Sequence, residues 1–315
     1  MRPAQSIKTM EKKAYSNQAF LFDNFKVDHI EKSTAQANVL FGKDSDSDQE
    51  VVCKQYSIFK LKAMVKEIRV FASLEKQRAL QSSESMDKFA TCFHGADGLP
   101  QLLSYKLGLE GGEILMMDAG DSLDKWPISG FSRPHAVQFV CQMLKQVIPA
   151  LQKLHSLGFS HGDIKPGNIC AKYDGNGALR FTLIDFGVSA RLFHQGEKRR
   201  PGPFRGNLNF ASPEHLSNRR ASRLDDIYSL LCVAYMFVFH SLPWEDHIEE
   251  EYEKASDKSN FFTLEKITEL RFSKLEAFEK TLARESIELR KLFQYILNLR
   301  SKQMALVLDS QLGTR

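Results

Sequence analysis

At 315 residues the chain exceeds the usual length of one domain, so one large domain or two lobes sharing a cleft is the expectation. Its 43% hydrophobic, 10% aromatic and 26% charged residues match a globular protein and exclude collagen-like, disulfide-dense and wholly disordered classes. A formal net charge of +4 is too small to argue for nucleic acid, and the longest apolar run, Leu230 to Phe239, is about half of the ~20 residues that a membrane span needs. Neither nucleic acid nor a membrane is therefore an expected partner.

In chain order, the opening MRPAQSIKTMEKKAYSN has no continuous apolar stretch after its charges and supports neither secretory nor mitochondrial targeting. The run DSDSDQE at 44–50 reads as a polar turn between a strand holding Asn38 to Phe41 and a strand VVCKQY at 51–56. Apolar residues at Ile58, Leu61, Val65, Ile68 and Ala72 recur every three or four positions and predict an amphipathic helix from Ile58 to Lys76, followed by a Ser-rich loop, QSSESMD. From Leu102 to Ala119 two short apolar runs separated by Gly108, Gly111 and Gly112 predict a hairpin that ends in EILMMDAG. The first part thus reads as a small sheet with one helix.

The second part is mostly helical. Ser132 caps a predicted helix with Pro134 in its first turn, and Val137, Val140, Leu144, Val147, Leu151 and Leu154 form its apolar stripe. Pro149 should kink it and Gly158 should stop it. Two short strands follow, around Ile169 to Ala171 and Phe181 to Ile184, joined by the turn DGNG. From Ser217 to Lys302 the chain reads as loops and helices, including a buried helix at 230–239 and ELRKLFQYIL at 288–297.

Five scattered cysteines without a C-x-x-C give no support to a disulfide framework or zinc site and fit reduced thiols in the cytosol or nucleus. Between Ala190 and Leu224, Arg191, Lys198, Arg199, Arg200, Arg205, Arg219, Arg220 and Arg223 face only Glu197 and Glu214. The acidic cluster from Glu245 to Glu253 reads as a solvated helix face.

The strongest chemical signal is H-G-D-I-K-P-G-N at 161–168, with D-F-G at 185–187 following seventeen residues after its Asn. Together they place two Asp, a Lys and an Asn on loops flanking a short hairpin, which suits phosphoryl transfer. Asp163 can accept or orient a hydroxyl proton, Lys165 can neutralise the transferring phosphate, and Asn168 with Asp185 can hold Mg²⁺ through oxygen. That reaction needs mainly positioning and charge neutralisation.

On these residues the chain resembles a eukaryotic protein kinase from roughly residue 22 to residue 303. The resemblance implies an α+β, bilobal kinase-like fold with a small β-rich N-lobe and a larger helical C-lobe. It also implies ATP and Mg²⁺ as cofactors and a protein substrate. Lys54, ending V-V-C-K, matches the strand lysine that grips the α and β phosphates, and Glu67 matches its ion-pair partner. S-P-E at 212–214 looks like the close of an activation segment, and D-I-Y-S-L from Asp226 looks like the start of the helix organising the large lobe. G-N-L-N-F-A-S at 206–212 and S-L-P-W at 241–244 are similar to the casein kinase I group, and Gly162, where most kinases carry Arg, is similar to the vaccinia-related kinases of that group. Without that Arg, a phosphorylated loop has no cation to bind, so loop phosphorylation is not the expected on-switch. The same likeness implies that the basic segment selects acidic or already phosphorylated substrates.

The resemblance departs from its pattern at the nucleotide. Residues 1–94 hold a single glycine, Gly42, and no glycine-rich loop can be written. The expected region reads HIEKSTAQANVLFG, where Lys32, Thr34 and Ala37 or their neighbours occupy glycine places and Val39 still covers the adenine. Val52 stands where a small Ala is usual. By resemblance, Met117 is the gatekeeper, with the Asp118 carbonyl and Gly120 N–H facing the adenine edge.

The expected domains are an N-terminal extension (1–21), a kinase domain (22–303, lobes 22–118 and 121–303) and a C-terminal tail (304–315). Two functions compete: a serine/threonine kinase and a pseudokinase scaffold. A third, a small-molecule phosphotransferase of the choline and aminoglycoside kinase type, shares H-G-D-x-x-P-G-N, but Lys165, D-F-G and S-P-E argue against it.

Overall fold

The computed structural model describes residues 22, 24–31, 37–84, 97–127, 130–192, 203–218, 221–254, 261–283 and 291. The chain divides into two compact units, one formed by the residues up to Met64 together with Leu102–Asp118, the other by Val65–Gln101 and the chain from Ala119 onward.

The first unit is an antiparallel sheet of β1 (Phe25–Glu31), β2 (Asn38–Asp44), β3 (Glu50–Ser57), β4 (Leu102–Leu107) and β5 (Gly111–Met117), in the order β1-β2-β3-β5-β4. The predicted strands and hairpin are present, and β1 is additional to them. Phe22, Phe25, Leu40, Val51, Cys53 and Leu115 form its core, and burying such apolar surface is the main driving force for the sheet. In β3 the run Val51, Val52, Cys53 and Lys54 is buried without alternation, because both faces of this central strand are covered. Gly42 has a local cause: a Cβ there would lie 1.9 Å from the Lys26 carbonyl oxygen of β1. The one glycine of residues 1–94 thus serves strand packing.

The predicted helix at 58–76 forms as a short 3₁₀ turn (Ile58–Lys60) running into α1 (Leu61–Glu84), which takes in the first part of the expected Ser-rich loop. Its buried face is a correction. Ile58 and Val65 are 53% and 39% exposed, whereas Met64, Glu67, Val70, Phe71 and Leu74 are buried. Two apolar stripes share this helix, and the one carrying the larger Phe71 and Leu74 goes inside because it removes more apolar area from water.

In the second unit α2 (Arg133–Ser156) starts after Ser132 and continues through Pro149, with Val140, Leu144, Val147, Leu151 and Leu154 buried as the stripe predicts. The Gly158 N–H donates to the His155 carbonyl where the helix stops. After β6 (Asp121–Ser122) and β7 (Phe159–Ser160), the hairpin of β8 (Ile169–Tyr173) and β9 (Leu179–Leu183) lies beside β6, and β10 (Ala190–Arg191) pairs with β7. α3 (Pro213–Asn218) leads to α4 (Arg223–Phe239), α5 (Glu245–Lys254) and α6 (Phe261–Ala283). Ser222 and Asp225 form a reciprocal capping box at the start of α4, fixing its first turn. Phe139 of α2 stacks on Phe237 of α4 at 5.3 Å and meets Phe181 of β9 edge-on at 5.2 Å, which seats the hairpin on the helix pair. Ile248 is buried while Glu249 and Glu250 of α5 are exposed, as expected of a solvated acidic face. ELRKLFQYIL lies outside the described residues apart from Lys291.

α1 is tied down by charge. Arg78 forks onto Asp97 at 2.9 and 3.1 Å, Lys153 of α2 meets the same carboxylate at 2.6 Å, and Arg78 also reaches Glu75 and the Leu99 carbonyl. Burial alone would raise the Asp97 pKa, but hydrogen bonds and charge from Arg78 and Lys153 outweigh it and hold the group below the usual carboxylate value. A depressed carboxyl stabilises the fold above its unfolded pKa, and the contribution disappears as pH falls through the folded value. Asp97→Asn is expected to lower unfolding stability by about 2 kcal/mol at pH 7, with the deficit shrinking in acid. Urea titrations of both proteins at pH 7 and at about pH 2, below the usual carboxylate range, measure this, and a deficit that does not depend on pH contradicts the ionic account.

Candidate active site

The 161–168 loop leaves β7, passes through a 3₁₀ turn at Pro166–Asn168 and enters β8. Its frame comes from below. Asp226 of α4, 1% exposed, accepts the His161 N–H at 2.8 Å and the Gly162 N–H at 2.7 Å, and its carboxylate also meets His155 Nε2 at 2.8 Å. The His161 ring adds two bonds: Nε2 to the Ile184 carbonyl at 3.0 Å and Nδ1 to the Asp163 N–H at 3.3 Å. A carbonyl only accepts and an amide only donates, so these contacts select the Nε2–H tautomer. Ser189 Oγ donates to the His161 carbonyl at 3.2 Å.

Within this frame Asp163 is 8% exposed. Its Oδ2 accepts from Lys165 Nζ at 2.8 Å and from Asn168 Nδ2 at 3.0 Å, while its Oδ1 is buried with no hydrogen-bond partner among the described residues. Asn168 Nδ2 also donates to the Asp163 carbonyl at 2.7 Å, so its amide nitrogen is committed and its amide oxygen is the atom suited to a metal. The Ile184 N–H donates to the Asn168 carbonyl at 2.9 Å, which ties the D-F-G loop to the Asn168 turn. Asp185 then takes a left-handed backbone, φ 69°, and its Oδ1 accepts the Gly187 N–H at 3.1 Å. Phe186, fully buried, meets Phe71 of α1 edge-on at 5.6 Å and His161 at 5.7 Å, so one aromatic column locks both loops.

The structure therefore brings Asp163, Lys165, Asn168 and Asp185 onto two loops joined by a main-chain hydrogen bond and by side-chain bonds from His161 and Ser189. Among the described residues no group of three or more His, Cys, Asp or Glu could hold a metal. An Asn oxygen and one carboxylate fit a magnesium ion nonetheless, since that ion takes hard oxygen donors and draws its remaining ligands from phosphate and water. Glu67 is fully buried on α1. Gly120 belongs to the second unit, where φ is +87° and a Cβ would lie 2.5 Å from the Ala171 carbonyl oxygen, so only glycine fits between the end of β5 and β6.

Val39 and Lys54 belong to the first unit and face each other across β2 and β3; Lys54 is 7% exposed. The Asp118 N–H donates to the Glu50 carbonyl at 3.1 Å, prolonging the β3–β5 pairing. Lys32 and Thr34 lie outside the described residues, as do Lys198, Arg199, Arg200, Arg219 and Arg220.

Sequence reasoning missed how Asp226 holds the loop, and it did not single out His155, Ser189 or His215. A pair of acids opening an otherwise apolar helix, Asp225 and Asp226, was the available signal. Asp225 accepts from Ser212 Oγ and the Ser222 N–H, and burial raises its pKa against those bonds. His215 is 3% exposed; burial pushes its imidazole down, although Asp225, Asp226 and Asp163 pull the other way.

A five-stranded antiparallel sheet, a mainly helical second unit and this pair of loops define a fold of the bilobal protein kinase type. The protein kinase domain model matches residues 35–305, and the chain belongs to the protein kinase family. It is similar to the casein kinase 1-like protein HD16 of Oryza sativa subsp. japonica, 34% identical over 163 residues, 49% of this chain and 23% of that one. A Caenorhabditis elegans protein named for casein kinase I is 31% identical over 150 residues, 45% of this chain and 41% of that one. The chain spans less than half the length of these curated relatives. In fold it is similar to vaccinia related kinase 3, with TM-score 0.61 and 16% identity over 95% of this chain and 96% of the other.

Proposed function

We propose that the chain is a serine/threonine protein kinase of casein kinase I type, with its kinase domain at 22–303, transferring the γ-phosphate of Mg·ATP to protein hydroxyls. The observation that carries this reading is the state of Asp163: one oxygen is held by Lys165 and Asn168, and the other is buried without a partner among the described residues. A carboxylate fixed in this way orients an acceptor hydroxyl and takes up its proton as the bond to phosphorus forms. Lys165 Nζ offsets charge on the phosphoryl group. Asn168 and Asp185 would hold Mg²⁺, which when bound supplies charge neutralisation between the phosphates. By the resemblance, Lys54 would take the α and β phosphates, and Val39 and Asp118 of the same unit would face the adenine.

The acceptor class follows from the resemblance and from charge: Arg191 and Arg205 are exposed, which favours acidic or phosphorylated protein substrates. Among the described residues no helix is long and apolar enough to cross a membrane. Labelled phosphate transfer to casein, to choline and to no acceptor tests the reading. Transfer to casein alone is expected; transfer to choline alone would assign the chain to small-molecule phosphorylation.

One observation favours a second reading, a non-catalytic scaffold: no glycine precedes Gly42 in the strands that would cover the phosphates, and Gly42 itself serves strand packing. Side chains in that stretch keep backbone N–H groups from approaching phosphate closely. Mg·ATP is accordingly expected to bind weakly, with a dissociation constant on the order of 100 µM or above by calorimetry. A low-micromolar constant would show that side chains replace the missing backbone contacts.

A further inference from the structure

The stretch from Gly206 to Ser212 runs beside the catalytic loop. Gly206 has φ +135°, and a Cβ there would stand 2.7 Å from the Gly162 carbonyl oxygen, so this backbone touches the residue just before Asp163. An acceptor chain that reaches Asp163 from the side of Gly162 would meet this stretch. The stretch turns tightly on itself: Asn207 Oδ1 accepts the Asn209 N–H at 2.9 Å, and the Asn207 carbonyl accepts the Phe210 and Ala211 N–H groups at 3.3 and 2.8 Å.

Two carbonyls of the turn are held by Arg271 of α6. Its Nη1 donates to the Leu208 carbonyl at 2.6 Å and to the Asn209 carbonyl at 3.0 Å, and Trp244 Nε1 donates to the same Asn209 oxygen at 2.9 Å. The guanidinium lies over the Trp244 ring, 3.7 Å from its centroid, with Tyr228 at 5.8 Å. Arg271 is fully buried, yet no carboxylate pairs with it among the described residues, and its Nε is buried without a hydrogen-bond partner. A buried cation without an anion is costly, and an apolar side chain of similar volume is often no less stabilising. What Arg271 contributes that an apolar residue cannot is a charged nitrogen, Nη1, donating to two successive carbonyls on a planar group stiffened by stacking on an indole.

We propose that Arg271, braced by Trp244, is a positioning residue that sets the course of the 207–209 turn and thereby the seat of the acceptor chain. The proposal rests on the kinase reading for its functional consequence and on the backbone for its structural one. It predicts a split. Arg271→Met keeps volume and packing but frees the Leu208 carbonyl and leaves the Asn209 carbonyl to Trp244 alone, so KM for casein rises roughly tenfold while the dissociation constant of Mg·ATP stays within about twofold. Arg271→Lys, with a single ammonium, recovers part of the KM.

The experiment measures casein KM, kcat, Mg·ATP affinity and amide hydrogen exchange for wild type and both variants. Loss of protection at Phe210 and Ala211 in Arg271→Met, with protection at Leu183 and Ile184 retained, is the expected structural signature. An unchanged casein KM with unchanged exchange at those two amides overturns the proposal. So does a parallel loss of casein and Mg·ATP binding with exchange raised throughout, since that marks general destabilisation. Should wild type transfer no phosphate to casein, the kinase reading fails, and the exchange of Phe210 and Ala211 alone decides whether Arg271 holds the turn.

Discussion

Asp185→Asn lowers phosphoryl transfer by about a hundredfold or more while leaving the melting temperature within about two degrees of the parent. The two effects separate because of where Asp185 sits. Its backbone is left-handed, φ 69°, a conformation Asn also adopts readily, and an Asn oxygen can still accept the Gly187 N–H. The turn therefore survives, and what disappears is the carboxylate charge a metal would take. Lys54→Met is expected to match it for a different reason, since it removes a cation from β3 while keeping an apolar stem of similar length in the buried strand. Initial rates with γ-labelled Mg·ATP and thermal melts of all three proteins measure both effects. Equal rates in either variant would remove that residue from the proposed machinery.

Asp226→Ala is expected to be costly in a different way, lowering unfolding stability by about 3–5 kcal/mol and abolishing transfer together with it. The buried His161 N–H and the half-buried Gly162 N–H lose the carboxylate that accepts them, and His155 Nε2 loses its contact with that carboxylate in the same step. The frame that fixes the His161 ring then loosens, and with it the Phe186 contact and the bond from the Asp163 N–H. Asp226→Asn retains one oxygen and places an NH₂ against a donor, so an intermediate loss is expected. Urea titration paired with rate measurements follows this series. A stability loss below about 1 kcal/mol for the Ala variant would mean that the loop does not depend on Asp226.

The legible parts of this protein are those whose chemistry is local in sequence. H-G-D-I-K-P-G-N carries Asp163, Lys165 and Asn168 within six residues, so their meeting in space follows from a single turn. The strands and the hairpin at Leu102–Met117 announce themselves by short apolar runs broken with glycine. The buried face of α1 was not legible, because two apolar stripes share one helix and only the tertiary partner, Phe186, decides between them. Asp226 was legible as a position but not as a role. It acts on a loop more than sixty residues away, and nothing in the local pattern at 225–226 says which amides it will accept. Arg271 was hidden for the same reason: in sequence it is one cation on a mixed helix, and its burial against Trp244 depends on the path of the 206–212 stretch.

The central claim is that these loops perform phosphoryl transfer although the chain carries no glycine before Gly42. Incubation of the purified chain with γ-labelled Mg·ATP and casein, beside Asp163→Asn under the same conditions, tests it most directly. The account predicts label on serine or threonine of casein with the parent and at least about a hundredfold less with Asp163→Asn. Labelling by the parent no greater than by Asp163→Asn would contradict it and leave the scaffold reading in its place.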